Sequence, residues 1–358
     1  MIASEVLTKG VEQGIITAEQ AERLRVLDGV REPLELPASP DDEQLRFISG
    51  FSDIFVTIGL AMFLGAIAYF ANRSISIAGM WASVAVIAWL LAEFFTRRRR
   101  MALPSIVLLI VFAMAVFIGA GIFLGAGTGP YVGTIGFLSV FGINTNQPTI
   151  LAAAALLTVL LTAVHYWRFR VPITVAAGCG ALTIAVIGLA NGFAPQLAPA
   201  GYSLVILICG LAIFTLAMRF DMADPERRTR RTDIAFWLHL LGAPLIVHSL
   251  IRGLVANTSK LDPTAAVAIM AVFLALSFIA VLIDRRAMLV SGLSYAGYAF
   301  ATLIREAGFS DMTTPATLLA LGAFVLLLSA GWRPLRTAIL SVTPSALIRN
   351  LPKTSPQT

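Results

Sequence analysis

The sequence contains ten long apolar segments, each close to the ~20 residues that a helix needs to cross a hydrocarbon core about 30 Å thick. They are continuously apolar rather than alternating, which favours helices over a membrane barrel. Charged residues make up only 13% of the chain and hydrophobic residues 58%, whereas soluble domains carry about 25% charge. We therefore predict an all-α fold, a polytopic transmembrane helix bundle of about ten spans. The predicted spans are Ser52–Phe70, Ile77–Phe95, Pro104–Leu124, Thr149–Trp167, Ile173–Ala190, Gly201–Met218, Ile234–Ile251, Thr264–Ile283, Ala287–Ile304 and Pro315–Trp332.

The distribution of basic residues predicts how the spans are oriented. With ten spans, 22 of the 26 lysines and arginines fall in loops on the same side as the N-terminus. Basic loops stay cytoplasmic in the great majority of membrane proteins. We therefore expect a multi-pass protein of the bacterial cytoplasmic (inner) membrane with both termini in the cytoplasm. The net charge of +6 is explained by these loops, and we expect the lipid bilayer rather than nucleic acid as the partner of the basic residues.

The polar residues before the first span predict a short cytoplasmic helical hairpin. One helix over Ser4–Glu12 ends at Gly14, and a second runs from Ala18 to Leu27. Thr17 and Gln20 have the spacing of a capping box, in which each side chain bonds the other residue's backbone N–H. The predicted domains are thus residues 1–50, the hairpin and a proline-containing linker; 51–332, the membrane domain; and 333–358, a cytoplasmic tail whose mixed basic and apolar residues suit an interfacial position.

The seventh predicted span is the candidate functional segment, because it combines two histidines with a potential helix break. His239 and His248 are nine residues apart, or about 900° around a helix, so they should point to opposite faces. Between them, Gly242 and Pro244 weaken one turn. Broken helices form binding sites in many transporters. The alternative is a kink whose polar groups are satisfied by neighbouring helices.

Other polar residues within or near the spans are explained by packing or anchoring. The third histidine, His165, stands beside Tyr166 and Trp167, which is typical of an aromatic belt at a membrane interface. Glu93 precedes Arg97 by four residues and predicts a helical ion pair. Cys179 and Cys209 lie inside spans and are expected to be free structural thiols. We expect no cofactor, no metal site and no catalytic residues.

Part of the chain resembles a known group of proteins. Gly14, Ile15, Ile16, Glu19, Gln20 and Ala21 match the opening of that group, and Trp332, Arg333, Pro344 and Pro352 are similar to its tail. The group consists of bacterial predicted membrane proteins of the domain-of-unknown-function 2157 type, with an N-terminal helical hairpin before many spans. The resemblance implies this architecture but no established activity and no functional residues.

Two functions fit the sequence. A non-enzymatic membrane scaffold or regulatory component would bind a protein partner through the N-terminal hairpin. A small-solute secondary transporter of the drug/metabolite type would have its site near the seventh span. The carrier hypothesis is weakened because no Asp or Glu lies in the middle of a predicted span, where coupled carriers commonly place a carboxylate.

The predicted topology can be tested with reporter fusions. Fusions after Arg100, Arg231 and Lys353 should report the cytoplasm, since the basic loops remain on that side. Fusions at Gly129 and Ser259 should report the opposite side. An external signal at Arg231 would contradict the ten-span topology.

Overall fold

In the computed structural model of the chain, the described residues are 11, 13–21, 23, 51–125, 147–196, 199–224, 229–255 and 263–342. The chain divides into one unit of residues 1–44 and 353–358 and a second unit of residues 45–352. The described residues of the second unit form eleven α-helices. They are α1 (Phe51–Ser74), α2 (Ile77–Ala92), α3 (Ala102–Phe123), α4 (Pro148–Phe169), α5 (Ile173–Phe193), α6 (Pro199–Met222), α7 (Arg230–Val255), α8 (Pro263–Ile283), α9 (Ala287–Glu306), α10 (Thr313–Ala330) and α11 (Trp332–Val342).

The all-α fold is confirmed. Within the described residues, nine helices, α1 to α8 and α10, are long and apolar enough to cross a membrane. Helix α9 has 20 residues and occupies the ninth predicted span. The helices thus coincide with the predicted spans, and they are those of a multi-pass integral membrane protein; the count of ten stays a prediction.

The outer surface of the bundle is strongly apolar. On α10, the side chains of Leu318, Leu319, Leu326 and Leu327 are between 67% and 75% exposed. Large contiguous apolar surfaces are rare on water-soluble monomers, but lipid tails are as apolar as leucine and impose no cost. The exposed leucines are therefore consistent with a lipid-facing surface.

Neighbouring helices α6 and α7 approach closely at two glycines. A Cβ on Gly210 would lie 2.9 Å from Ile246 Cγ1 and 3.1 Å from the Ile246 backbone nitrogen. A Cβ on Gly242 would lie 3.3 Å from Ile213 Cγ2. Small residues at such positions allow helix backbones to pack tightly in a membrane.

Several turns between helices meet at one end of the bundle. Arg100 follows a π-helical turn (Glu93–Arg98) that continues α2, Arg170 ends α4, and Arg285 follows α8. We call this the arginine end; it is the side predicted to be cytoplasmic. Arg168 binds Glu93 here, with 2.8 Å between Arg168 Nε and Glu93 Oε1. The predicted Glu93–Arg97 pair is also present at 3.4 Å.

The last helix, α11, contains the first residues of the predicted tail. Its buried face consists of Trp332, Arg336 and Ile339, whose spacing places them on one side of a helix. Trp332 and Ile339 belong to an apolar core shared with α7, α8 and α9. Residues 332–342 therefore pack against the bundle rather than forming an isolated extension.

The capping box of the N-terminal unit is confirmed. The Thr17 N–H donates to Gln20 Oε1 at 2.9 Å, and the Gln20 N–H donates to Thr17 Oγ1 at 3.2 Å. Gly14 has a φ of 69°, which suits its predicted role as a helix stop. The remainder of the predicted hairpin, its linker and residues 126–146 lie outside the described residues.

Replacing Thr17 by alanine removes one half of this capping box. We expect Thr17→Ala to destabilise the helix that begins at Ala18 by about 1 kcal/mol. Amide hydrogen exchange in the full chain measures this, and exchange in α1 to α10 should be unchanged. Thr17→Ser keeps the hydroxyl and serves as the control; equal exchange in both variants would contradict the role of the cap.

Candidate functional site

The two histidines of the seventh predicted span lie on opposite faces of α7, as their spacing predicts. His239 is fully buried, whereas His248 is exposed. The His248 ring pairs with the hydroxyl group of Tyr295 on α9. The structure therefore does not bring the histidines together in one site, and each has different surroundings.

His239 belongs to a buried polar cluster with Asp221 and Arg285. His239 Nε2 is 2.9 Å from Asp221 Oδ2, and Arg285 Nε donates to the same oxygen at 3.1 Å. Arg285 also donates from its terminal nitrogen to Asp221 Oδ1, so the guanidinium binds both carboxylate oxygens. All three side chains are at most 3% exposed. The cluster connects α6, α7 and the turn between α8 and α9.

The local backbone explains how Arg285 enters the bundle. Helix α8 ends with Asp284 in the left-handed conformation, at a φ of 58°. The Arg285 N–H donates to the Ala280 carbonyl at 2.8 Å, and the Asp284 N–H donates to Val281. These are the two bonds of a Schellman motif, in which glycine is the usual left-handed residue. Asp tolerates this conformation better than most residues, and here it directs the chain so that Arg285 turns inward.

Asp284 itself is buried against α11. Its Oδ1 accepts a hydrogen bond of 2.7 Å from Trp332 Nε1, and its Oδ2 lies 3.7 Å from an Arg336 terminal nitrogen. The Arg286 guanidinium lies 5.1 Å from the Trp332 ring centroid, a cation–π geometry. Asp284 thus binds α11, whereas the adjacent Arg285 belongs to the cluster that joins α6 and α7.

The hydrogen bonds of the cluster all converge on the Asp221 carboxylate. Because both oxygens of an ionised carboxylate can only accept, His239 donates from Nε2 to Asp221. His239 Nδ1 is buried and has no hydrogen-bond partner among the described residues. The carboxylate therefore holds the imidazole and the guanidinium in one network.

The start of α7 is held by a second carboxylate. Asp224 Oδ2 accepts hydrogen bonds from the Thr229 N–H at 2.7 Å, from the Thr229 hydroxyl at 2.6 Å and from the Thr232 hydroxyl at 3.0 Å. These bonds tie the end of α6 to the beginning of α7. They fix the register in which His239 meets Asp221.

Gly242 and Pro244 do not interrupt α7, which is continuous from Arg230 to Val255. Proline removes the bond that would reach the Leu240 carbonyl, but one missing bond permits a kinked helix to continue. Pro244 is exposed, and Gly242 is buried against α6. Gly242 therefore allows α6 and α7 to approach each other closely at this position.

The third histidine has surroundings that differ from the expectation. We expected His165 in an aromatic belt at the membrane interface, but it is only 1% exposed. Its ring packs among Trp89, Phe112 and Phe169, with centroids 5.5, 5.4 and 4.6 Å away. Its neighbour Trp167 is 78% exposed and takes the outward position. His165 is therefore a packing residue that joins α2, α3 and α4.

Sequence reasoning missed two members of the buried cluster. Asp221 lies just beyond the predicted sixth span, and Arg285 lies in the loop between the predicted eighth and ninth spans. The two are 64 positions apart in the chain, so spacing alone gives no sign of their pairing. One signal was available, since an acidic and a basic residue stand next to each other at the end of α8.

The cluster does not have the composition of a metal site. Across the described part of the chain, no group of three or more His, Cys, Asp or Glu side chains could hold a metal ion. Cys179 and Cys209 are free thiols, as predicted. The arrangement can hold charged groups in a fixed position inside the bundle.

Comparisons with protein-family models, with curated proteins and with solved structures gave no match for this chain. The resemblance to bacterial membrane proteins of unknown function therefore stays a prediction. The geometry of the cluster is the evidence on which a functional interpretation depends.

Removing one partner of the buried Asp221–Arg285 pair should lower the stability of the protein far more than removing one partner of a surface ion pair. Asp221→Asn removes the carboxylate whose two oxygens bind the buried Arg285 guanidinium, and breaking a buried ion pair costs about 3–5 kcal/mol of stability. We expect a correspondingly large fall in the thermal unfolding midpoint of the purified protein in detergent. The double variant Asp221→Asn with Arg285→Met should recover much of this loss, because it removes the buried guanidinium together with its carboxylate partner.

Glu93→Gln is the matched control, because it breaks an ion pair at the same end of the bundle. The Glu93 side chain is 30% exposed, and a partly exposed pair contributes about 1 kcal/mol or less. An Asp221→Asn variant as stable as Glu93→Gln would show that the buried cluster does not hold the bundle together.

Proposed function

We propose that this protein is a non-enzymatic scaffold or regulatory component of the bacterial inner membrane, with both termini in the cytoplasm. The observation that carries the proposal is the closed Asp221–His239–Arg285 cluster, whose charged groups bind one another. Charged side chains that bind one another in this way hold the helices in fixed positions and make the bundle more rigid. Such a bundle is suited to presenting a cytoplasmic segment to a protein partner.

The N-terminal unit offers a surface for that partner. Ile15 is 72% exposed and stands between the Gly14 turn and the capped helix. A single exposed apolar residue is ordinary on a protein surface, but it provides a position at which binding can be altered without affecting the bundle. It is therefore the position chosen for the test.

The proposal is tested by isolating the full-length protein from native membranes with its bound proteins. We expect defined proteins to co-purify with the wild type and to be reduced at least fivefold by Ile15→Ser, as measured by quantitative mass spectrometry. Gln13→Ser changes another exposed residue of the same segment and should retain them. Identical co-purifying proteins in wild type and Ile15→Ser would contradict binding through this segment.

A small-solute carrier is the second candidate, and the position of His239 is the observation that favours it. His239 lies nine residues into α7, or about 13.5 Å along the helix axis from Arg230. Ionisable residues at this depth are costly in a membrane and commonly mark transport pathways. In a carrier, Asp221, His239 and Arg285 would have to separate from one another so that a solute could reach them.

Replacing both histidines by glutamine separates the two candidates. Glutamine preserves a hydrogen-bond donor toward Asp221 but cannot exchange a proton near neutral pH. We expect the His239→Gln, His248→Gln variant to behave like the wild type in growth and in its co-purifying proteins. Loss of a transport phenotype with unchanged protein level and stability would favour the carrier and contradict the scaffold.

A further inference from the structure

A cavity of about 440 Å³ at the arginine end has an unusual composition. Its wall contains five arginines and one acidic residue, Asp233. The arginines are Arg97, Arg100, Arg168, Arg170 and Arg230. They come from the connection between α2 and α3, the C-terminal end of α4 and the first turn of α7. Orientation of the protein in a membrane requires arginines at this side, but it does not require arginines from three separate turns to face one cavity.

The carboxylates of the described residues balance only part of the positive charge of the cavity. Glu93 pairs with Arg168 and, at a longer distance, with Arg97. Arg100, Arg170 and Arg230 form no ion pair with any other described residue. Helix α3 also begins in this wall, and its N-cap residue Met101 provides no side-chain cap. Uncapped N–H groups at a helix start add further attraction for an anion.

An apolar groove adjoins the basic cavity. The groove has a volume of about 380 Å³ and shares two wall residues with the cavity, Ile173 and Trp237. Its remaining wall is formed by apolar or small side chains such as Ile110, Phe117 and Gly180. On α5, the groove residues run from Ile173 to Ile184, about 16 Å along the helix. This length is close to the depth of one leaflet, about 15 Å.

We propose that the cavity and groove together bind one anionic phospholipid. The phosphate would lie among Arg100, Arg170 and Arg230, and one acyl chain would lie along the groove. Arginine binds phosphate oxygens through its planar guanidinium group, and basic cavities between transmembrane helices bind anionic headgroups on the cytoplasmic side. The apolar groove is the reason to choose a lipid over free phosphate, which would leave that groove unfilled. This inference does not depend on the proposed scaffold role.

The test is a binding titration of the purified full-length protein by native mass spectrometry. The probes are dioctanoyl phosphatidylglycerol, dioctanoyl phosphatidylcholine and inorganic phosphate. We expect phosphatidylglycerol to bind at least tenfold more tightly than phosphatidylcholine. The triple variant Arg100→Gln, Arg170→Gln, Arg230→Gln should lose about a hundredfold in phosphatidylglycerol affinity, since each basic residue near an anionic lipid is worth about fivefold.

A second triple variant controls for net charge. Arg98→Gln, Arg99→Gln, Arg219→Gln removes three exposed arginines that lie outside the cavity wall. It should retain the affinity of the wild type to within a few fold. Equal loss in both triple variants would show a nonspecific charge effect and would overturn the proposed site.

Filling the groove tests the acyl-chain half of the site. A Cβ on Gly180 would lie 3.8 Å from the Leu241 methyl groups, so a larger side chain can enter the groove without a backbone clash. Gly180→Leu should reduce phosphatidylglycerol affinity at least tenfold, whereas Gly59→Leu, at a position with open space around the Cβ, should not. Equal binding of phosphatidylcholine, competition by inorganic phosphate at the lipid concentration, or full affinity in Gly180→Leu would each overturn the phospholipid assignment.

Discussion

The buried guanidinium of Arg285 is the group on which the arrangement of the second half of the bundle depends. A charge this deep is tolerated only when a counter-charge and hydrogen bonds surround it. Asp221 supplies both oxygens, and His239 donates to one of them. These contacts require the end of α6, the first third of α7 and the α8–α9 turn to meet. The neighbouring Asp284 extends the same tie to α11 through Trp332, so a two-residue turn connects helices that are distant in sequence.

Arginines at this end of the molecule therefore have two distinct roles. Arg285 and Arg336 are buried and bind carboxylates within the bundle, where their charge is balanced. Arg100, Arg170 and Arg230 face a cavity, where their charge is available to an anion. The asymmetric distribution of basic residues predicts the orientation of the chain, but it does not distinguish the arginines with these two roles. Only the packing of the turns separates a structural arginine from one that can bind a ligand.

The sequence predicted the helices well because a membrane imposes the length and composition of each span. It also predicted that His239 and His248 point apart, since this follows from helix geometry alone. The Thr17–Gln20 capping box was predictable because its contacts are three residues apart. The Asp221–Arg285 pair was not predictable in the same way, because its members are distant in the chain and neither lies within a predicted span. The burial of His165 was missed for a related reason: its aromatic neighbours come from three helices.

The continuity of α7 through Pro244 has a physical explanation in the contact between α6 and α7. Gly210 and Gly242 let the two backbones approach closely near the middle of their length. The hydrogen bonds of Asp221 to His239 and of Asp224 to Thr229 and Thr232 join the same two helices at the arginine end. A helix held at both places loses little by missing one internal hydrogen bond, because its path is set by its neighbour. Opening α7 at Gly242 and Pro244 would have to separate the glycine contact and the buried cluster together, which makes the closed arrangement the stable one.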